Sequence, residues 1–127
     1  LKPYESWFEK AQNDLNTARE LLSDSHPALD MVIQYTLEAA QKALKAFLKS
    51  RGESLDGAAN LNELVDLCVE IDPDLAILAD PAEELSAYGI IFRDPEEAEI
   101  IPKKNEAAEA VQLAEAIVMK LTDRIIP

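Results

Sequence analysis

The sequence predicts an all-α fold, an antiparallel up-and-down helical bundle of four principal helices with a candidate short fifth, in one domain over residues 1–127. Three observations carry this expectation. Apolar residues recur at steps of three and four along several long stretches, the spacing of one helix face. No stretch alternates apolar with polar residues convincingly, as a half-buried strand would. Turn residues separate the stretches by a few to about 12 positions, which suits antiparallel neighbours in a bundle. A chain of 127 residues also has the length to bury a core without disulfide staples.

The first helix is expected from about Glu5 to Ser23, with Trp7, Ala11, Leu15, Ala18 and Leu22 on one face and Phe8 and Leu21 widening it. Asn13, Asp14, Asn16, Thr17, Arg19 and Glu20 supply much of the other side. Ser23-Asp24-Ser25-His26-Pro27 breaks the pattern, with Ser25 or His26 expected to cap the next helix and Pro27 to occupy its first turn.

That second helix, Pro27 to Arg51, is the most informative segment. Leu29, Val32, Ile33, Leu37, Leu44, Phe47 and Leu48 share it with Ala28, Ala39, Ala40, Ala43 and Ala46, so it is apolar or small on more than one face. A surface helix shows one apolar stripe; this one must be surrounded. Part of its small-residue face is expected to pack against a second copy or a partner. Gly52 suits the left-handed position just past a helix.

Asn60 is a good N-cap, and Glu63 three residues on completes a capping-box-like signal for a third helix carrying Leu61, Leu64, Val65, Cys68 and Ile71 inward. From Asp74 to Phe92 the pattern is helical but interrupted at Asp80-Pro81, giving either a kink or a short helix followed by a new one capped by Asp80. Leu75, Leu78, Leu85, Tyr88 and Ile91 are the core candidates there. Arg93 to Lys104 is the longest non-helical stretch. The last helix begins near Asn105, with Ala110, Ala114, Ile117, Leu121 and Ile125 on its seam and Val111 and Val118 beside it.

The formal charge is −13, from 25 acidic and 12 basic residues. That argues against a nucleic-acid binder, whose affinity comes largely from Lys and Arg neutralising phosphates, and against an anionic membrane surface. A basic protein partner, or simple solubility, suits it better. The single cysteine, Cys68, lies in an apolar run without a nearby cation and reads as a core residue rather than a reactive thiol. One unpaired cysteine and no leading hydrophobic segment give an expected cytoplasmic location. No apolar run approaches bilayer length.

Several motifs together resemble the HEPN domains of bacteria and archaea. Trp7, Ala11, Asp14, Leu15 and Ala18 match that family's aromatic followed by Ala-x-x-Asp-Leu-x-x-Ala. Glu38-Ala39-Ala40-Gln41-Lys42-Ala43-Leu44-Lys45-Ala46 follows its Gln-Ala-Ala-Glu-Lys-Ala-Leu-Lys-Ala run with Glu and Gln exchanged. Asn62-Glu63-Leu64 stands where the family has His-Asp-Leu or His-Asn-Leu, and Arg93-Asp94-Pro95 looks like its Arg-Tyr-Pro.

Catalytic members of the family are similar in carrying an Arg followed a few residues later by a His, used to cleave RNA; the chemistry needs a group titrating near neutrality and a cation for the phosphate. Here the positions four to six after Arg93 are Glu97, Ala98 and Glu99, and the one histidine, His26, lies in the turn before the second helix, where it reads as a turn or capping residue. No catalytic residue is therefore assigned, and no cofactor. One histidine cannot supply the paired Glu-x-x-His sets of a di-iron bundle, so no metal site is assigned either. The acids at Asp80, Glu83 and Glu84 and at Glu96, Glu97 and Glu99 read as solvated or helix-dipole residues.

The candidate ligand residues are Arg93, Asp14, Lys42 and Lys45. Arg93 could hold a phosphate or carboxylate through its planar fork, a contact the resemblance implies; the plainer alternative is an ion pair with Asp14, with Lys42 and Lys45 joining a polar cluster. The resemblance further implies a dimer that pairs with a small nucleotidyltransferase in a toxin–antitoxin-like or nucleotide-responsive system. The alternatives are a degenerate HEPN ribonuclease toxin and a small-ligand nucleotide sensor.

Overall fold

A computed structural model describes residues 2–55, 60–92 and 101–125. Five α-helices occupy them: α1 Pro3–Leu22, α2 Leu29–Ser50, α3 Leu61–Ile71, α4 Ala79–Ile91 and α5 Lys104–Ile125, with a 3-10 segment, Pro73–Leu78, between α3 and α4. The described residues contain no strand. The all-α bundle read from the sequence is therefore the fold.

The first helix starts earlier than its periodicity indicates because Pro3, whose missing N–H costs nothing at a helix start, begins it. Phe8, Ala11, Leu15 and Ala18 are buried, while Trp7 stays half-buried at the edge of the core. The following turn differs from expectation. Neither Ser25 nor His26 caps α2; Ala28 holds the N-cap position with no side-chain bond, and Pro27 precedes the helix instead of entering it. The first helical bond runs from Val32 N–H to Ala28 C=O, at 3.1 Å.

The other end of α2 follows its sequence closely. Gly52 takes φ +74°, the N–H of Glu53 bonds to Leu48 C=O at 2.9 Å, and the N–H of Gly52 bonds to Lys49 C=O at 3.1 Å. These two bonds make a Schellman motif, which closes carbonyls that a helix end leaves open.

Between those ends α2 packs against all four other α-helices. Ala39, Ala40, Ala43 and Ala46 are wholly inaccessible, together with Val32, Leu44 and Phe47. This corrects the expectation that the small-residue face meets a second copy or a partner. The reason is steric: alanines let helices approach closely, and the other four helices between them cover the alanine-bearing faces. Exposed large apolar side chains are Met31 in the first turn of α2 and, on other segments, Ile77, Ile90, Ile91, Ile101 and Met119.

Asn60 caps α3 as predicted, and Glu63 returns the contact to the Asn60 side chain rather than to its backbone N–H. Asn60 Oδ1 accepts from Glu63 N–H at 2.9 Å, and Asn60 Nδ2 donates to Glu63 Oε1 at 3.4 Å. Asp72 then caps the 3-10 segment, accepting from Asp74 N–H at 3.1 Å. Of the two expectations for Asp80-Pro81, a short helix followed by a new one is realised, but Asp80 is not its cap: α4 begins at Ala79, and both Asp80 and Pro81 lie in its first turn. Proline is tolerated there because first-turn N–H groups have no helical partner. Leu75, Leu78 and Leu85 are buried as expected; Ile91, at the last position of α4, is 47% exposed.

On α5, Ala110, Ala114, Ile117, Leu121 and Ile125 form the buried seam with Val111 and Val118. Cross-helix contacts fix directions. Trp7 lies by Lys45 and Asp14 by Lys42, so α1 and α2 are antiparallel. Tyr88 reaches Glu109 while Asp74 reaches Arg124, so α4 runs antiparallel to α5. Cys68 is inaccessible, and burial pushes its thiol up to about 12. None of the buried side-chain nitrogens and oxygens among the described residues lacks a hydrogen-bond partner.

Candidate functional site

The helical period places Asp14 and Trp7 on the α1 face that meets α2, while Glu38, Lys42 and Lys45 occupy successive turns of α2 opposite them. Lys42 Nζ donates to Asp14 Oδ2 at 2.5 Å and lies 3.5 Å from Glu38 Oε2, its i−4 neighbour. The Asp14 side chain is 17% exposed and that of Lys42 24%, so this is a half-buried pair, not a surface one. Burial by itself lowers the Lys42 pKa; the hydrogen bond and charge of Asp14, with Glu38 behind them, outweigh it and leave the ammonium held above its usual 10.5.

Of the four candidate ligand residues, the structure brings Asp14 and Lys42 together. Lys45 turns aside and sets its ammonium 5.3 Å from the centre of the Trp7 ring, a cation–π contact. Arg93, and with it the Asp14–Arg93 pair, lies outside the described residues, as do Asp94, Pro95 and the acids Glu96, Glu97 and Glu99. Sequence reasoning missed Glu38 as the second carboxylate on Lys42, although its i,i+4 spacing was a sufficient signal.

Beside this cluster, Pro3, Ser6, Trp7, Lys10 and Lys42 line a groove of about 410 Å³. It combines an indole with two lysine side chains, of which Lys42 is paired with Asp14 and Glu38. His26 stands exposed in the α1–α2 turn, where its Nδ1 lies 3.2 Å from Ser25 Oγ. Tyr88 donates to Glu109 Oε2 at 2.7 Å. That bond, then burial and the charges of Glu109, Glu106 and Glu84, push its phenol up to about 12. Among the described residues no group of three or more His, Cys, Asp or Glu side chains is placed to hold a metal ion, and no helix is long and apolar enough to cross a membrane.

These features define a helical bundle with an amphipathic groove on its α1–α2 face. A sequence profile of the HEPN domain matches residues 4–125, and the chain belongs to that family. Its fold is similar to that in the crystal structure of TT1696 from Thermus thermophilus, with a TM-score of 0.76 at 24% identity over 98% of this chain and 99% of that one. No curated protein sequence matches it.

Proposed function

We propose that this HEPN domain is a noncatalytic, nucleotide-responsive interaction module that forms a dimer and pairs with a small nucleotidyltransferase in a toxin–antitoxin-like system. The observation that carries the noncatalytic part is the place of its one histidine. His26 is exposed in the turn between α1 and α2, far in sequence from Arg93, and the four-to-six spacing after Arg93 holds Glu97, Ala98 and Glu99. General acid–base cleavage of RNA needs both groups at one phosphate.

The groove of Trp7, Lys10 and Lys42 supports the nucleotide part, since it joins an indole to the Lys10 ammonium, while Lys42 is held by Asp14 and Glu38. Support for the dimer comes from Ile90 and Ile101, 75% and 72% exposed, in place of the buried alanines of α2. Sedimentation at micromolar concentration should give a dimer, and a monomer there counts against this reading. Co-purification from the native cell should bring down a nucleotidyltransferase. Cleavage of RNA that disappears in Arg93→Ala would replace the proposal with a ribonuclease.

A further inference from the structure

At the end of the bundle where α1 begins and α2 and α5 finish, Lys2, Tyr4, Ser50, Arg51, Arg124 and Ile125 line a groove of about 370 Å³. Three of these six side chains are cationic and none is acidic, in a chain whose formal charge is −13. We propose that Lys2, Arg51 and Arg124 form an anion subsite for the phosphate or pyrophosphate group of a small phosphorylated ligand.

Helix ends account for part of this cluster and fail to account for the rest. Arg51 caps α2 and Arg124 lies in the last turn of α5, where cations offset the negative pole of each helix. Lys2 occupies the N-cap of α1, makes no side-chain capping bond, and adds positive charge to a positive pole. An anion between Lys2 and the two arginines removes that conflict and gains from the same pole.

Two of the three cations are also placed without being neutralised. Among the described residues neither Lys2 nor Arg51 has a carboxylate within ion-pair distance; Lys2 Nζ lies 5.9 Å from the Tyr4 ring centre and Arg51 Cζ 4.8 Å from that of Phe47. The contact of Arg51 with the Phe47 ring leaves its N–H groups available to oxygen acceptors. Arg124 is fixed by Asp72 and Asp74, each at 3.2 Å, through one bond from each terminal nitrogen, so its remaining N–H donors stay open. In the last turn of α2 the carbonyls of Leu48 and Lys49 are closed by the Glu53 and Gly52 N–H groups. The groove has the volume of a small molecule, and the acidic remainder of the surface opposes an extended polyanion.

The site shares no residue with Asp14, Lys42, Lys45 or Arg93, so it stands or falls apart from the function proposed above. Calorimetric titration of the full chain at low ionic strength with pyrophosphate and with ATP tests it. Pyrophosphate should bind, Arg51→Gln and Lys2→Gln should each weaken it roughly tenfold, and Lys49→Gln and Lys104→Gln should leave it unchanged, with all four variants retaining the parental melting temperature. ATP binding with the same sensitivity to Arg51→Gln identifies a nucleotide as the source of the phosphates; pyrophosphate alone identifies the free anion. Absence of binding at millimolar pyrophosphate overturns the proposal. Equal weakening by Lys49→Gln, or weakening by Lys10→Gln but not by Arg51→Gln, overturns it too, by showing charge screening or occupancy of the Trp7 groove.

Discussion

Gly89 of α4 faces Leu37 of α2 so closely that a Cβ added at Gly89 would stand 2.6 Å from Leu37 Cδ1. Gly89 is buried inside a helix, where alanine would otherwise be favoured by about 1 kcal/mol. The glycine is there for the approach of α4 to α2. Leu37 is 5% exposed, and the contact is with the tip of its side chain, which borders a groove of about 160 Å³ together with Gly89. Gly89→Ala sets the helical gain against displacement of that side chain, and should be destabilising by less than about 1 kcal/mol. In a Leu37→Ala background the same change should become neutral or stabilising. Urea denaturation of the four proteins in this cycle measures the coupling; purely additive effects would remove the contact as the explanation.

Lys42 gives an alkaline signature. Its folded pKa is raised, so the stability it contributes is fully present below its unfolded value of 10.5 and is lost as pH rises through the higher folded value. Stability measured from pH 8 to 12 should fall above pH 10.5, and Asp14→Asn should reduce the part of that fall due to Lys42. At pH 7, Asp14→Asn should cost about 1 kcal/mol, the scale of a pair that keeps some solvent screening.

Tyr88 titrates late in the same range. With the phenol at about 12 against an ordinary 10, its contribution is complete below pH 10 and disappears as pH climbs through 12. Absorbance titration should show one of the three tyrosines ionising last. Glu109→Gln should move that step toward 10, and Tyr88→Phe should delete it. Persistence of the late step in Tyr88→Phe would assign it to another tyrosine.

Cys68 is inaccessible, with Sγ 3.8 Å from Leu44 C=O. A neutral buried thiol is inert to disulfide reagents. Labelling should occur at the rate of opening of the fold, accelerating with denaturant, and Cys68→Ala should cost about 1 to 2 kcal/mol through the small cavity it leaves. Fast labelling in native buffer would place the thiol at the surface.

Signals confined to one or two turns are the legible ones. Asn60 with Glu63, and Gly52 after Ser50, are bonds between near neighbours, and their sequence spacing is their geometry. Prolines are less legible: Pro27 fits the first turn of α2 and equally the residue ahead of it, while Pro81 reads as a break although a first turn absorbs it. The alanines of α2 show that periodicity reports how much of a helix must be covered and not by what, since cover from α3 and α4 looks in sequence like cover from a second molecule. Asp14 and Lys42 both stand out in the sequence, but their pairing depends on the α1–α2 register. Lys2, Arg51 and Arg124 have no proximity in sequence, and only the meeting of three helix ends brings them together.

The enclosure of α2 sets an order on folding. Its hairpin with α1 closes through a short turn and can form early, because little chain entropy is lost in joining near neighbours. Its other flank waits for α5, whose first residue, Lys104, follows Ser50 only after α3 and α4. During that interval Ala39, Ala40, Val32 and Phe47 lack part of their final cover. The slow step in refolding should therefore be the docking of α5, and the intermediate before it should be the species most prone to self-association.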